Sequence, residues 1–126
     1  MNIRAITLKD IEILKDLHYR FYKDEFEFPD FLNNFLSSFV VTDDNDKIII
    51  GGGVRLITES VIVTDKNYPI KDRRLALLEI LRASMFTAAR ENYNELHAFV
   101  QDDKWMRHLK THGFRDTKGK ALVINL

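Results

Sequence analysis

Apolar and polar positions at the start of the chain predict a short strand followed by a helix. The sequence NIRAI predicts a strand over residues 2–6. Thr7 follows, with Asp10 three residues later, a spacing typical of the capping box at a helix start. The next apolar residues have the spacing of one helix face: Ile11, Leu14, Leu17 and Phe21. The pattern therefore predicts a first helix that ends near Tyr22.

The middle of the chain changes from helical to strand spacing. Pro29 begins PDFLNNFL, which we predict as a second short helix because proline favours the first helical position. Residues 38–42 and 47–58 predict two strands, which the polar turn DDND separates. A third run, SVIVT over residues 60–64, extends these strands into an antiparallel meander.

The longest helical pattern begins in YPIKDRRLALLEIL, residues 68–81. Its predicted inward stripe consists of Leu75, Leu78, Leu81, Met85 and Ala89. LHAFV predicts a strand over residues 96–100, DDKWMRHLKTH a short helix over 102–112, and residues 114–126 a closing hairpin around KG. The predicted order is βααβββαβαββ in a single α/β (α+β) domain, residues 1–126, with a mixed, mostly antiparallel sheet flanked by helices.

Composition narrows the class of protein. The hydrophobic fraction of 45% is enough to bury a core, and Lys+Arg and Asp+Glu are both 19, which gives zero formal net charge. That balance argues against bulk nucleic-acid binding, which depends on a basic surplus. The chain has no cysteine, so disulfides and thiolate sites are excluded. No segment reaches the roughly 20 apolar residues of a membrane span, so we expect a cytoplasmic protein without nucleic-acid or membrane partners.

The element order and the chain length resemble the GNAT superfamily of N-acetyltransferases over nearly the whole chain. Residues 61–81, VIVTDKNYPIKDRRLALLEIL, are similar to the family's fourth strand, pyrophosphate loop and third helix. With the alignment anchored on Leu77 and Leu78, the family's two loop glycines fall on Asp72 and Arg74, and its leading Arg or Gln falls on Pro69. Anchoring the alignment on Val63 instead shifts these positions by one residue. The resemblance implies an acyl-CoA N-acyltransferase-like fold that takes acetyl-CoA as co-substrate.

A second local resemblance is QDDKWMRHLKTHGF, residues 101–114, which is similar to a late family pattern ending in Gly-Phe. Gly113 and Phe114 match that pattern, and Asp102 stands where the family often has Asn. Leu109 stands at the position of a tyrosine that often serves as general acid. The substitutes for that missing acid are Tyr93, His108 and His112.

The start of the long helix leaves two interpretations open. Unpaired N–H groups and the positive end of the helix dipole favour an anion there. Lys71, Arg73 and Arg74 could pair with phosphates, whereas Asp72 could cap the helix and occupy the same N–H groups. The cofactor-binding residues implied by the resemblance are Val61, Val63, Lys71, Asp72, Arg73, Arg74, Leu75 and Asp102.

Acetyl transfer needs a neutral amine, a polarised thioester and a protonated leaving thiolate. The resemblance places a carboxylate general base on the fourth strand, which makes Glu59 the catalytic candidate, although an ordinary surface glutamate explains the same residue. Residues 23–30 border the acceptor site in the family and could attract a cationic amine, or they form a solvated helix junction. Their acidic members are Asp24, Glu25, Glu27 and Asp30.

Three further motifs receive structural interpretations. The glycines of GGG, residues 51–53, lie inside a strand and predict a bulge or a close backbone approach. TDDNDK, residues 42–47, predicts a hairpin turn, since the glycine and distal glutamate of a calcium loop are missing. His108 and His112 share a helix face, but no third ligand is apparent, so no metal is predicted.

The leading hypothesis is an N-acetyltransferase that transfers the acetyl group of acetyl-CoA to a small-molecule or peptide amine by direct attack. The pantetheine amides would pair with a free strand edge between SVIVT and LHAFV. The alternative is a non-catalytic module of the same fold that binds an acyl carrier or a protein partner. A third hypothesis is an assembly protein that forms a homodimer through the weakly charged edge strand KALVINL.

Overall fold

The computed structural model describes residues 1–126 and shows a small α+β fold with three helices and a three-stranded antiparallel sheet. The elements are β1 (Asn2–Ala5), α1 (Leu8–Phe21), β2 (Phe35–Thr42), β3 (Ile48–Arg55), α2 (Ile70–Arg90) and α3 (Asp103–Lys110). None of these helices combines the length and apolar composition that crossing a membrane requires. The chain forms two compact units, one of residues 1–55 with 101–126 and the other of residues 56–100.

The first unit contains the sheet, in the strand order β1-β2-β3. β1 pairs antiparallel with the end of β2, and β2 pairs antiparallel with β3. In the turn between β2 and β3, the Asp43 carboxylate accepts the backbone N–H groups of Asn45 and Lys47, both at 2.9 Å. Asp46 has a φ of 62°, a conformation that aspartate tolerates in turns. The predicted hairpin turn is confirmed.

Helix α1 begins at the predicted capping box. The Asp10 carboxylate accepts the backbone N–H of Thr7 at 2.7 Å and its hydroxyl at 2.9 Å. The same carboxylate, 3% exposed, forms an ion pair with Arg4 of β1 at 2.6 Å. The Arg4 guanidinium holds the pKa of Asp10 well below its usual range. This network joins the start of α1 to the strand before it.

The core of the first unit lies between α1 and the sheet. Leu14 of α1 packs with Val40 of β2 and Ile48 of β3. Half-buried side chains surround this cluster: Ile6, Leu17, Phe28 and Phe31. The core therefore joins α1 to β2 and β3, and to the segment between α1 and β2 that contains Phe28 and Phe31.

Two of the three glycines of β3, Gly51 and Gly53, permit this packing, and the predicted close backbone approach is confirmed at Gly53. A Cβ at Gly51 would lie 2.6 Å from Cδ2 of Leu14. A Cβ at Gly53 would collide with the backbone carbonyl oxygen of Ser37 in β2. Gly52, between them, has open space at its Cβ position. Only two of the three positions thus exclude a side chain.

Helix α3 is capped at both ends by its own sequence. The Asp102 carboxylate accepts the backbone N–H groups of Lys104 at 2.7 Å and Trp105 at 3.2 Å. At the other end Gly113 has a φ of 98°, and the N–H of Phe114 donates to the carbonyl of Leu109. Glycine adopts that φ without steric cost, which ends the helix. The residues that carry the second local resemblance thus have capping roles here.

The second unit consists of α2 with an extended segment on either side. The two segments meet at one parallel bridge, between Glu59 and His97. The Ser60 N–H donates to the His97 carbonyl at 2.8 Å, and the His97 N–H donates to the Thr58 carbonyl at 2.9 Å. Two extended segments joined through a helix and paired in parallel form the connection of a βαβ unit.

The predicted second helix, residues 29–36, is wrong. The Asp30 carboxylate accepts the backbone N–H of Leu32 at 3.2 Å and the side-chain amide of Asn33 at 2.8 Å. Asn34 has a φ of 58°, outside the helical region. Short polar side chains that bond to nearby groups compete with helix formation. The segment therefore turns and enters β2 at Phe35.

Four predicted strands are not regular strands: residues 60–64, residues 96–100 and the two strands of the closing hairpin. One isolated parallel bridge, Glu59 to His97, takes the place of the first two, so the predicted third strand of the antiparallel meander is wrong. Residues 114–126 form no strand, so the predicted closing hairpin is also wrong. Residues 60–64, SVIVT, are rich in β-branched residues, but composition does not supply a backbone partner. The observed order, βαββαα, therefore differs from the predicted βααβββαβαββ.

The predicted inward stripe of α2 is confirmed at Leu81, which is buried, and wrong at Leu75, Met85 and Ala89, which are exposed. Leu77, Leu81 and Ala88 are the buried residues of this helix, whereas Leu75 and Met85 are about half exposed. Apolar residues occupy more than one face of α2, so their spacing alone does not select the buried face.

Candidate functional site

The first turn of α2 has no side-chain cap. The helix begins at Ile70 after Pro69, which has a ψ of 147° and occupies the N-cap position. The Arg73 N–H donates to the Pro69 carbonyl at 3.1 Å, the first bond of the helix. Asp72 is the third helical residue, so its predicted capping role is wrong. The N–H groups of residues 70–72 lack helical partners and lie at the positive end of the dipole.

Cationic side chains lie on this open turn. Lys71 and Arg74 are exposed, and Arg73 is half-buried. The Nε atom of Arg73 is buried and has no hydrogen-bond partner within the protein. A buried donor without a partner is costly to the folded state. Asp72 is exposed and adds one negative charge to the same turn.

An aspartate, not a glycine, shapes the loop before α2. The Asp65 carboxylate accepts the Asn67 N–H at 2.9 Å, and the Asp65 carbonyl accepts the Tyr68 N–H at 3.4 Å. This Asx turn leads the chain into Pro69 without a residue of positive φ. Sequence analysis overlooked Asp65, although an aspartate two residues before an asparagine, ahead of a proline, is typical of such a turn.

The segment between the bridge and α2 has a free backbone edge. Pairing with the segment after α2 ends at the Ser60 N–H, and residues 61–63 make no backbone hydrogen bond. Val61 is 74% exposed and Val63 97%. Free N–H and C=O groups on an extended segment can pair with another extended chain. Leu75, 55% exposed, lies in the second turn of the helix that follows.

Glu59 and His97 share one face of the paired segments, because residues that pair across neighbouring strands point to the same side. Glu95 and Phe99 lie two residues before and after His97, and therefore on this face too. The His97 and Phe99 rings stack with centroids 6.5 Å apart and an interplanar angle of 13°. The His97 Nδ1 lies 3.3 Å from the Thr58 carbonyl oxygen. Sequence analysis overlooked His97 because only the parallel bridge brings it opposite Glu59.

The other candidate residues have local structural roles. Asp102 is the N-cap of α3 and belongs to the first unit. The rings of His108, on α3, and His112, two residues past its end, have centroids 5.1 Å apart. No group of three or more His, Cys, Asp or Glu side chains could hold a metal ion. Leu109 is 3% exposed. Tyr93 lies three residues after α2, and its backbone N–H donates to the Ala88 carbonyl of that helix at 3.0 Å.

The acidic segment of residues 23–30 is held by its aromatic residues. The Phe26 and Phe28 rings lie 5.0 and 5.6 Å from the His18 ring of α1, and Phe28 also packs against the core. The Asp30 carboxylate is used in the turn before β2. The remaining acidic side chains are exposed: Asp24, Glu25 and Glu27. This geometry is that of a solvated helix junction anchored on α1.

Comparisons with known proteins supply no relative for this arrangement. Of the residues that the GNAT resemblance implies for the cofactor, Val61, Val63 and residues 71–75 belong to the second unit. The candidate site therefore depends on the geometry of that unit. Searches with the chain matched no protein-family model, no curated protein and no solved structure.

Proposed function

We propose that this chain is a small N-acetyltransferase of the GNAT type, which transfers the acetyl group of acetyl-CoA to an amine by direct attack. The observation that carries the proposal is the uncapped first turn of α2, which follows an extended segment with a free backbone edge. A diphosphate suits the open helix end. A chain that contains amide groups, such as pantetheine, suits the free edge.

The proposed diphosphate site combines backbone and side-chain donors. The N–H groups of residues 70–72 bind phosphate oxygens, and Lys71 and Arg74 add charge-assisted bonds. Arg73 is half-buried on the same turn and adds a third cation beside these donors. The loop needs no glycine for this arrangement, since the Asx turn at Asp65 already directs the chain into the helix.

The parallel bridge supports a GNAT-like architecture for the second unit. The segments on either side of α2 pair at Glu59 and His97, and the pairing ends directly afterwards. In the resembled family the cofactor lies where the fourth and fifth strands diverge, and here that position follows Ser60. The proposal places the thioester near Glu59 and the acceptor amine on the face that Glu59 shares with His97.

A non-catalytic module of the same fold, which binds an acyl carrier or a protein partner, is the second candidate. Leu109 favours it, because this 3% exposed side chain stands where the family has a proton-donating tyrosine. The terminal segment also has four strongly exposed apolar side chains, which suit a protein partner: Leu122, Val123, Ile124 and Leu126. Release of coenzyme A in the presence of an amine distinguishes the enzyme from the module.

Thermal unfolding with and without acetyl-CoA tests the binding step. A ligand at 100 times its dissociation constant stabilises a fold by about 2.7 kcal/mol, so we expect Tm to rise by several degrees. An unchanged Tm at millimolar acetyl-CoA contradicts the proposal. A rise in Tm without thiol release for any amine supports the second candidate.

Matched arginine variants locate the binding site. Arg74→Ala and Lys71→Ala should weaken acetyl-CoA binding in calorimetry, because both remove a cation from the first turn. Arg82→Ala is the control, since Arg82 is an exposed residue of the same helix, about 12 Å further along its axis. Equal affinities for Arg74→Ala and Arg82→Ala would exclude the first turn as the phosphate site.

A further inference from the structure

His97 has a defined orientation on the face that it shares with Glu59. Its side chain is 18% exposed, and its Nδ1 lies 3.3 Å from the Thr58 carbonyl oxygen. A carbonyl oxygen only accepts, so Nδ1 has the hydrogen in this contact and Nε2 has the lone pair. A neutral imidazole in this tautomer can accept a proton at Nε2.

The surroundings of His97 suit a cationic group. The Glu95 carboxylate lies 3.8 Å from Nε2 and its side chain is 54% exposed. Glu59 adds a second exposed carboxylate across the bridge, and two carboxylates on one face attract a cation. The half-exposed Phe99 ring supplies an aromatic surface against which a cation is also favourable.

We infer that His97 accepts a proton from a primary ammonium substrate whose charge Glu59 and Glu95 hold, an inference that rests on the proposed acetyl transfer. The Nε2 lone pair takes one proton from R–NH3⁺, which leaves a neutral amine and an imidazolium. In the imidazolium both N–H groups have acceptors nearby, the Thr58 carbonyl and the Glu95 carboxylate. The acceptor class is therefore a cationic primary amine.

The remaining steps balance without a further reactant. The amine nitrogen forms a bond to the acetyl carbon, the C–S bond breaks, and the coenzyme thiolate leaves with its electron pair. The thiolate then takes the proton that the new amide nitrogen loses. His97 returns to its neutral form by releasing its proton to water, so each transfer yields one amide, one thiol and one free proton.

Histidine suits the proton step better than Glu59 does. A neutral imidazole is a stronger base than a carboxylate, so it accepts a proton from an ammonium group more readily. Glu59 binds the ammonium charge in this scheme, and His97 takes the proton.

Steady-state kinetics of the full chain test the two roles. The probes are acetyl-CoA with n-butylamine, spermidine or the dipeptide Gly-Lys, and the readout is the released coenzyme thiol. His97→Gln should lower kcat on the order of 100-fold and remove the ascending limb of the pH profile of kcat. Glu59→Gln should raise KM for the amine by about two- to fivefold and retain kcat. Glu12→Gln, an exposed change on α1, is the control.

The outcomes separate this inference from the proposed function. A His97→Gln variant that keeps kcat and the ascending limb, or a Glu59→Gln variant without turnover, overturns the assignment of the proton to His97. Acetyl-CoA binding without turnover of any of the three amines overturns the substrate class. A wild-type chain that does not bind acetyl-CoA overturns the proposed function itself. Imidazole ¹⁵N spectra should show the Nδ1–H tautomer at His97, and the Nε2–H tautomer contradicts the inference whatever the activity.

Discussion

Replacing the glycines of β3 singly with alanine should give three different changes in stability. A Cβ at Gly53 would collide with the Ser37 carbonyl oxygen and lie 2.9 Å from the Cα of Ser38. These atoms belong to the backbone of β2, which pairs with β3, so they cannot rotate away. At Gly51 the nearest atom is Cδ2 of Leu14, the end of a side chain, and at Gly52 no atom lies within 4 Å.

Steric overlap determines the expected magnitudes, because none of the three glycines has a positive φ. Extra volume in a packed site costs about 1–3 kcal/mol, and Gly53→Ala should lie near the upper limit. Gly51→Ala should cost about 1 kcal/mol, since the end of Leu14 can shift. Gly52→Ala should be neutral or stabilise by up to about 0.5–1 kcal/mol, because alanine loses less conformational freedom than glycine on folding.

Thermal and urea denaturation, monitored by circular dichroism, compare the stabilities of the three glycine variants. At about 4 °C per kcal/mol for a domain of this size, Gly53→Ala should lower Tm by roughly 10 °C relative to Gly52→Ala. Gly51→Ala should lie between them. If Gly53→Ala proves as stable as Gly52→Ala, the close approach of β2 to β3 is refuted.

Three further predictions concern aspartates. Asp10→Asn should lower the free energy of unfolding by about 2 kcal/mol at neutral pH. Arg4 lowers the folded-state pKa of Asp10 below its unfolded value near 4. The carboxylate therefore stabilises the fold above about pH 4, and this stabilisation is lost as pH falls from there toward the folded-state pKa. Urea denaturation of both proteins from pH 7 to pH 3 checks this, and a difference that does not shrink at low pH contradicts it. Asp102→Ala should lower the free energy of unfolding by about 1 kcal/mol, because α3 loses its N-cap. Its acetyl-CoA affinity, measured by calorimetry, should be unchanged, and weaker binding would instead place Asp102 at the cofactor. Asp72→Asn should strengthen acetyl-CoA binding by about two- to fivefold, because it removes a charge of the same sign as the phosphates. It should also slightly lower the Tm of the free protein, because a negative charge near a helix start is stabilising. Weaker binding would argue against phosphate at this turn.

The sequence predicted the elements whose ends are determined by nearby residues. The Thr7–Asp10 pair sets the start of α1, and the DDND turn sets the hairpin between β2 and β3. Helix α3 is likewise delimited by Asp102 and Gly113. In each case the residues that decide the structure are within a few positions of one another.

The failures involve competition or partners distant in the chain. The apolar pattern of residues 29–36 predicted a helix that does not form. The Asp30 side chain bonds to the backbone of a turn, and Asn34 has a backbone conformation outside the helical region. The segments at Glu59 and His97 pair over 38 residues of separation, and no local pattern reveals a parallel bridge. The choice of buried face on α2 failed for a related reason, since Leu75 and Leu77 are both apolar and only packing distinguishes them.

The candidate site was predicted in part. The cationic first turn of α2 was visible in the sequence, but the sequence did not show whether Asp72 or Pro69 begins the helix. Pro69 does, which leaves the amides of residues 70–72 uncapped. The sequence did not indicate His97 as a site residue, because only the long-range parallel bridge places it beside Glu59.

The central claim is that the open amides at the start of α2 bind the diphosphate of coenzyme A. An ¹⁵N–¹H titration of the chain with coenzyme A, and separately with pantetheine, which lacks the diphosphate, tests it most directly. We expect large shifts at the backbone amides of Ile70, Lys71 and Asp72 with coenzyme A, and none there with pantetheine. Unchanged amides at these residues under saturating coenzyme A, or equal shifts with both ligands, would contradict it.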